Sequence, residues 1–180
     1  MKRAVLALAA LLMATSLLWA AWLLTAGETK QLSAPPPVTA QKLDALYATA
    51  LPDLDGRVQT LGQWRGKVLV VNYWATWCTP CRDEMPMFSA LQARYAARGV
   101  QFVGIADDEA DKVREFVRQT PVAYPLLIGA VDAFGITAEL GNAAMALPFT
   151  IVLDRDGKLH AAALGRMHED ALVRLLDGLV

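Results

Sequence analysis

Two cysteines, separated by two residues, carry the clearest chemistry in this sequence. Cys78 and Cys81 are the only cysteines among 180 residues. An apolar run at 68–71 precedes them and a stretch of helical periodicity follows, so Cys78 is predicted to begin a helix with Pro80 in its first turn. Free N–H groups at a helix start favour a thiolate. This placement predicts that Cys78 attacks a substrate disulfide and that Cys81 resolves the mixed disulfide.

Two other interpretations of the cysteines remain open at this point, a purely structural disulfide and half of a metal site. The sequence has no second cysteine pair and no nearby cluster of Cys and His to complete a zinc site, so no metal site is predicted. The two histidines, His160 and His168, are isolated and are predicted to be surface side chains. A net charge of −1 gives no basic surface for nucleic acid.

The elements that must position the cysteines alternate between strand and helix patterns. Apolar runs at 68–74 and 100–106 suit central strands covered on both faces, and a helix with one apolar face lies between them. A shorter run at 126–128 and a hairpin over 149–164 add strands, and a closing helix begins at His168 or Glu169. The pattern predicts an α/β fold, with a mixed central sheet and helices on both faces.

The N-terminal residues have a different composition. Residues 4–27 carry no charge and are long enough to span a bilayer, after Lys2 and Arg3, which favour the cytoplasmic side. We therefore expect a transmembrane anchor at 4–27, a proline-containing linker at 28–40 and one domain at 41–180. A cleaved signal peptide is the alternative for the first segment.

The residues around the cysteines resemble a known family. The string from Asn72 to Pro86 contains Trp-Ala-Thr-Trp-Cys-Thr-Pro-Cys and then Glu84-Met85-Pro86. It is similar to the TlpA/ResA-type branch of thioredoxin-like proteins, which are membrane-anchored thiol:disulfide oxidoreductases. The resemblance covers roughly residues 48–180 and implies a thioredoxin-like fold, with residues 107–128 as the helix-and-strand insert of that branch.

The resemblance also assigns a role to one acidic residue. Thioredoxins proper carry a buried Asp where this chain has Asn72, which cannot titrate. Glu84 is the substitute candidate, because the TlpA/ResA pattern has an acid at that position. A carboxyl there would move a proton and oppose thiolate formation by like charge. The alternative is a solvated helix glutamate.

Substrate-binding residues follow from the same resemblance. Pro148 matches the cis proline that thioredoxin-like proteins pack opposite the cysteine pair, and Leu147 before it would offer its backbone to the client chain. Trp77, Thr79 and Pro80 are expected to complete the client-binding surface around the cysteines.

The function implied by the resemblance is reduction of protein disulfides outside the cytoplasm, by a single-pass protein of the inner (cytoplasmic) membrane with its domain in the periplasm. The redox-active disulfide Cys78–Cys81 would act without another cofactor. A membrane electron donor of the DsbD/CcdA type would recharge it. Expected clients are apocytochrome c or a copper-site protein of cytochrome oxidase assembly. The alternative function is a Cu(I) metallochaperone that uses the same two cysteines, since soft thiolates suit that ion.

Overall fold

The computed structural model describes residues 35–129 and 131–180. Its helices are α1 (Ala40–Ala48), α2 (Thr79–Tyr95), α3 (Ala110–Gln119), α4 (Val131–Glu139) and α5 (Glu169–Leu179). Its strands are β1 (Ala50–Pro52), β2 (Val58–Thr60), β3 (Val68–Trp74), β4 (Val100–Ala106), β5 (Leu126–Ile128), β6 (Phe149–Leu153) and β7 (Leu159–Leu164). Short 3-10 helices follow β2 at Leu61–Trp64 and α2 at Ala96–Arg98.

The central sheet has five strands in the order β5-β4-β3-β6-β7. β3, β4 and β5 are parallel, whereas β6 pairs antiparallel with both β3 and β7. The predicted mixed sheet is therefore confirmed, and β3 is its central strand. Helix α1 precedes the first strand and ends at Ala48, with Thr49 as its C-cap residue.

Side chains of β3 alternate between two apolar clusters, one on each face of the sheet. Val70 and Trp74 join one cluster, whereas Val71 and Tyr73 join the other. All seven residues of β3 are buried. Helices α2 and α5 cover the first face, while α1 and α4 cover the second, so the predicted helices on both faces are confirmed.

Helix α2 carries Cys81, has Cys78 as its N-cap residue and ends at Tyr95. The 3-10 turn after it closes at Gly99, whose φ of 83° lies in the left-handed region that glycine adopts without steric cost. Phe88 and Leu91 bury the apolar face of α2 against the sheet. This packing holds the start of α2 at the carboxyl end of β3.

The predicted insert is also present, as helix α3 followed by edge strand β5. A β-bridge from Asp53 to Leu127 joins this edge to the two-stranded β1–β2 sheet. Gly104 in β4 allows close packing here, because a Cβ at that position would lie 2.6 Å from Leu126 Cδ2 and 3.1 Å from Trp74 Nε1. The absence of a side chain lets the Trp74 indole lie directly on β4.

The predicted anchor at 4–27 and most of the predicted linker lie outside the described residues. Of the helices that the structure describes, none combines the length and apolar character needed to span a membrane. The last linker residues contact the domain: Val38 packs against the cluster on the second face, and a Cβ at Gly141 would lie 3.5 Å from Pro36 Cδ.

Candidate active site

The turn between β3 and α2 presents the cysteine pair. Cys78 is the N-cap residue of α2, and its N–H donates to the carbonyl of Ala75 at 3.1 Å, which closes the turn. The Cys78 carbonyl accepts the N–H of Arg82 at 3.2 Å as the helix begins. Cys78 and Cys81 form a disulfide with their Cα atoms 5.3 Å apart. The predicted placement of Cys78 at a helix start is confirmed.

The two sulfurs differ in access. Cys78 is 5% exposed and Cys81 is completely buried. Trp77, Thr79 and Pro80 around them are exposed, and the Trp77 side chain is 67% exposed. A disulfide or thiol from solvent can therefore approach only on the Cys78 side, as expected for the attacking cysteine.

Glu84 is buried beneath the pair, so the alternative of a solvated helix glutamate is wrong. It is 1% exposed and lies one helical turn after Cys81. Its Oε1 accepts Asn72 Nδ2 at 2.9 Å, and its Oε2 accepts the backbone N–H of Met167 at 2.8 Å. Burial raises the pKa of Glu84 to about 7, against the opposing effects of these two hydrogen bonds and of the Arg166 charge.

Asn72 has a structural role in this arrangement. Its Nδ2 also donates to Thr150 Oγ1 at 3.0 Å, so the amide links β3, β6 and the Glu84 carboxylate. The carboxylate in turn contributes to the raised pKa of the buried Tyr124 hydroxyl, whose main cause is burial. Asn72 therefore helps to fix the position of the Glu84 carboxylate.

The second loop at the site precedes β6. The Leu147–Pro148 peptide bond is cis, as the resemblance implied, and Pro148 is buried. Leu147 is half-buried and packs against the cluster that contains both cysteines. Within the described residues, neither backbone group of Leu147 has a hydrogen-bond partner. Its N–H and C=O are open to an extended client chain, as at a sheet edge.

Comparison with known proteins agrees with this geometry. The family model described as Redoxin matches residues 33–176.

The chain belongs to the Redoxin family.

Within this family the chain is a thiol-disulfide oxidoreductase of the TlpA/ResA type. It is 33% identical to the thiol-disulfide oxidoreductase ResA of Bacillus thuringiensis subsp. konkukian (strain 97-27) over 125 residues, which cover 69% of this chain and 70% of the relative. It is 34% identical to the thioredoxin-like protein YneN of Bacillus subtilis (strain 168) over 132 residues, covering 71% and 74% of the two chains. The crystal structure of a secreted thiol-disulfide isomerase from Corynebacterium glutamicum has a TM-score of 0.65 at 25% identity, covering 73% and 82%.

For a Redoxin-family oxidoreductase, the observed geometry supports two-step thiol-disulfide exchange. In the reducing direction, a Cys78 thiolate would attack one sulfur of a client disulfide, so that a mixed disulfide forms and the other client sulfur leaves as a thiolate. Cys81 would then attack Cys78, which would release the second client thiol and form the Cys78–Cys81 disulfide. Glu84 lies one helical turn after Cys81 with a pKa raised to about 7, which is the placement that its predicted role as proton acceptor requires.

Asp108 is a residue of this site that sequence reasoning missed. Asp108 Oδ1 accepts the N–H of Glu109 at 2.9 Å, at the start of α3. Its Oδ2, however, accepts the hydroxyl of Thr76, two residues before Cys78. The Asp108 side chain is only 5% exposed. Burial acts to raise the pKa of Asp108, but hydrogen bonds from Thr76 and Glu109 and the Lys112 charge outweigh it and lower the pKa.

Other expectations concern residues away from the reaction. His160 and His168 are both exposed, as predicted. Among the described residues, no three His, Cys, Asp or Glu side chains are grouped so that they could hold a metal ion.

Proposed function

We propose that this protein is a reductase of protein disulfides, acting outside the cytoplasm through Cys78 and Cys81. Thiol-disulfide exchange itself follows from the family and the site, whereas the direction of electron flow, the location and the clients belong to this proposal. The proposed direction of electron flow rests on the Glu84 carboxylate, which is buried one helical turn after Cys81.

The charge of Glu84 favours a reducing protein. Stabilising a thiolate stabilises the reduced form, which makes the disulfide a stronger oxidant, as the low thiol pKa of DsbA illustrates. A negative carboxylate near the sulfurs has the opposite effect, because it disfavours a second negative charge. Glu84 therefore counteracts the thiolate-stabilising helix start at Cys78 and lowers the reduction potential of the pair.

The location is supported by the N-terminal sequence. Residues 4–27 are uncharged and follow Lys2 and Arg3, which predicts a single-pass anchor in the inner membrane with the domain in the periplasm. The Corynebacterium glutamicum relative of similar fold is described as secreted. A reductase in that compartment needs electrons from across the membrane, and a donor of the DsbD/CcdA type would supply them to the Cys78–Cys81 disulfide.

The clients that fit are proteins whose own cysteine pair must be reduced before a metal group is attached. Apocytochrome c and a copper-site protein of cytochrome oxidase assembly are of this kind. The open backbone of Leu147 and the exposed Trp77 suit an extended protein segment better than a small molecule.

The reduction potential tests the proposed direction. Equilibration of the purified domain with dithiothreitol redox buffers at pH 7 should give a potential near that of thioredoxin, about −270 mV, and far from that of DsbA, about −120 mV. A potential near the DsbA value, together with catalysed oxidation of a reduced test protein, would show that the protein is an oxidant.

A trapping variant identifies the client. Cys81→Ser cannot resolve the mixed disulfide, so its client stays bonded to Cys78 and can be isolated under non-reducing conditions. The double variant Cys78→Ser/Cys81→Ser is the matched control, because it lacks the nucleophile. Capture of the same proteins by both variants would mean that the bonds do not arise from Cys78 chemistry.

A further inference from the structure

Three large apolar side chains are mostly exposed in the part of the chain that the structure describes. They are Val58 at 71%, Trp77 at 67% and Met145 at 59%. Val58 lies on β2, in the separate two-stranded sheet. Trp77 immediately precedes Cys78, and Met145 lies three residues before Pro148.

The strand register places Trp77 and Met145 at the same end of the central sheet. Tyr73 of β3 is directly opposite Phe149 of β6 in the antiparallel pair. Trp77 lies four residues after Tyr73, and Met145 lies four residues before Phe149. The loop that follows β3 and the loop that precedes β6 therefore meet adjacent strands at the same end of the sheet.

Met145 is held in an unfavourable backbone conformation. Its φ is 46°, and no other non-glycine residue of the described chain has a positive φ. A side chain with a Cβ disfavours this region, so the surrounding structure must hold the residue there. Residues kept in such conformations cluster at functional sites.

Asn142 provides the hydrogen bonds that hold Met145 in this backbone conformation. Asn142 is completely buried, and its amide forms two hydrogen bonds with the backbone of Ala146, to the carbonyl at 2.9 Å and from the N–H at 3.0 Å. The Asn142 carbonyl also accepts the N–H of Met145 at 2.9 Å. These bonds fold residues 142–146 into a closed loop, which leaves the Met145 side chain outside it and exposed.

The geometry points to Met145 as a specificity-determining residue, which forms with Trp77 an apolar rim for the client segment that carries the reactive cysteine. This inference rests on the proposed function. A client chain that pairs with Leu147 is extended, and its residues two positions from the cysteine face the same side as the cysteine. When the client sulfur is directed at Cys78, apolar side chains at those positions face this rim. The expected client therefore has bulky apolar residues two positions from its cysteine.

Two peptides test this inference. Each is a mixed disulfide of its cysteine with glutathione; one has leucine two residues on either side of the cysteine, and the other has serine at both places. Reduction transfers two electrons from the Cys78 and Cys81 thiols to the peptide disulfide, and leaves the Cys78–Cys81 disulfide with free peptide and glutathione thiols. The measured quantity is the ratio of kcat/KM for the leucine peptide to that for the serine peptide.

The reduced wild-type protein should prefer the leucine peptide by about 3- to 10-fold, as partial burial of one or two leucines allows. Met145→Ala should lose most of this preference, and the conservative Met145→Leu should retain it. Val58→Ala is the matched control, an exposed apolar side chain on the other sheet, and should keep the wild-type ratio.

A wild-type preference that Met145→Ala keeps in full would overturn the inference, as would the absence of a preference in the wild type. Neither result contradicts the proposed reductase function, since the peptides are still reduced. A wild-type protein that reduces neither peptide would overturn the proposed function and this inference with it.

Discussion

Glu84 on helix α2 and Asp108 before helix α3 both have little exposed side-chain surface, but their environments shift their pKa values in opposite directions. Glu84, beneath the pair, accepts one hydrogen bond on each oxygen, and burial dominates so that its pKa is raised to about 7. Asp108, beside the turn, accepts hydrogen bonds from Thr76 and Glu109 near the Lys112 ammonium, and its pKa is lowered despite burial.

We propose that this difference separates a group that moves protons, Glu84, from a group that fixes geometry, Asp108. Glu84 can gain or lose a proton in the range where the thiols titrate, so it can take part in the exchange reaction. Asp108 stays ionised there and can only hold Thr76, and with it the turn that presents Cys78. Each carboxylate accepts two hydrogen bonds, so the deeper burial of Glu84 and the Lys112 ammonium beside Asp108 account for the opposite directions of the two pKa shifts.

The largest expected effect is on the pH dependence of stability. The folded pKa of Glu84 lies above its ordinary value of 4.5, so the folded protein binds this proton more tightly than the unfolded chain does. The stabilisation of the folded protein by this bound proton is full below about pH 4.5 and is lost as the pH rises through about 7. Relative to Glu84→Gln, the wild type should lose roughly 3 kcal/mol of unfolding free energy between pH 4.5 and pH 8.

Denaturant unfolding of both oxidised proteins at these two pH values measures this change. Asp83→Asn is the matched control, because Asp83 is an exposed carboxylate on the same helix turn. Its effect should stay within about 0.5 kcal/mol at both pH values. If the wild type and Glu84→Gln differ in stability by the same amount at pH 4.5 and pH 8, Glu84 does not change its charge in this range.

A smaller effect is expected on catalysis. Glu84→Gln removes the proton acceptor for Cys81, so disulfide exchange at pH 7 should slow by about 10- to 100-fold, at the lower end of general-base effects. The same variant removes a negative charge near the sulfurs, and the pKa of the Cys78 thiol should fall. Stopped-flow kinetics and alkylation rates across pH 5–9 separate the two quantities. Unchanged exchange kinetics and an unchanged alkylation profile would return Glu84 to a purely structural role.

The smallest effect is expected for Asp108→Asn. A lowered folded pKa contributes stability that is present above the ordinary value of 3.8 and is lost only as the pH falls through the folded pKa. The variant should therefore cost about 1 to 2 kcal/mol, with the same value at pH 5.5 and pH 8. Thr76→Val removes the same hydrogen bond from the other side, so the double variant should cost less than the sum of the two single variants. A cost that changes between the two pH values would show that Asp108 titrates like Glu84.

The sequence predicts one of these carboxylates better than the other, for a physical reason. The apolar run of β3, the cysteine spacing and the helix start at Cys78 are local patterns, and they place the redox pair correctly. The resemblance to the TlpA/ResA type points to Glu84, but its hydrogen bond from the Met167 N–H joins residues 83 apart and comes from a backbone group, which has no sequence signal.

Asp108 and Asn142 show more clearly which contacts the sequence does not predict. Asp108 contacts Thr76 across 32 residues, and an acidic run before a helix is explained equally well by local effects at the helix start. The contact between Asp108 and Thr76 depends on the folded arrangement of β3 and β4, and no single-segment pattern carries it. The hydrogen bonds of Asn142 to Met145 and Ala146 are local, but a stretch of small residues gives no signal of the loop that these bonds close.

One NMR titration tests the contrast between the two carboxylates directly. In the oxidised protein labelled with carbon-13, the side-chain carboxyl resonances of Glu84 and Asp108 can be followed from pH 4.5 to pH 9 and assigned with Glu84→Gln and Asp108→Asn. The Glu84 resonance should show a midpoint at about 7, while the Asp108 resonance should show no titration step over this range. A Glu84 midpoint near 4.5 would contradict the assignment of Glu84 as the proton acceptor of the redox pair.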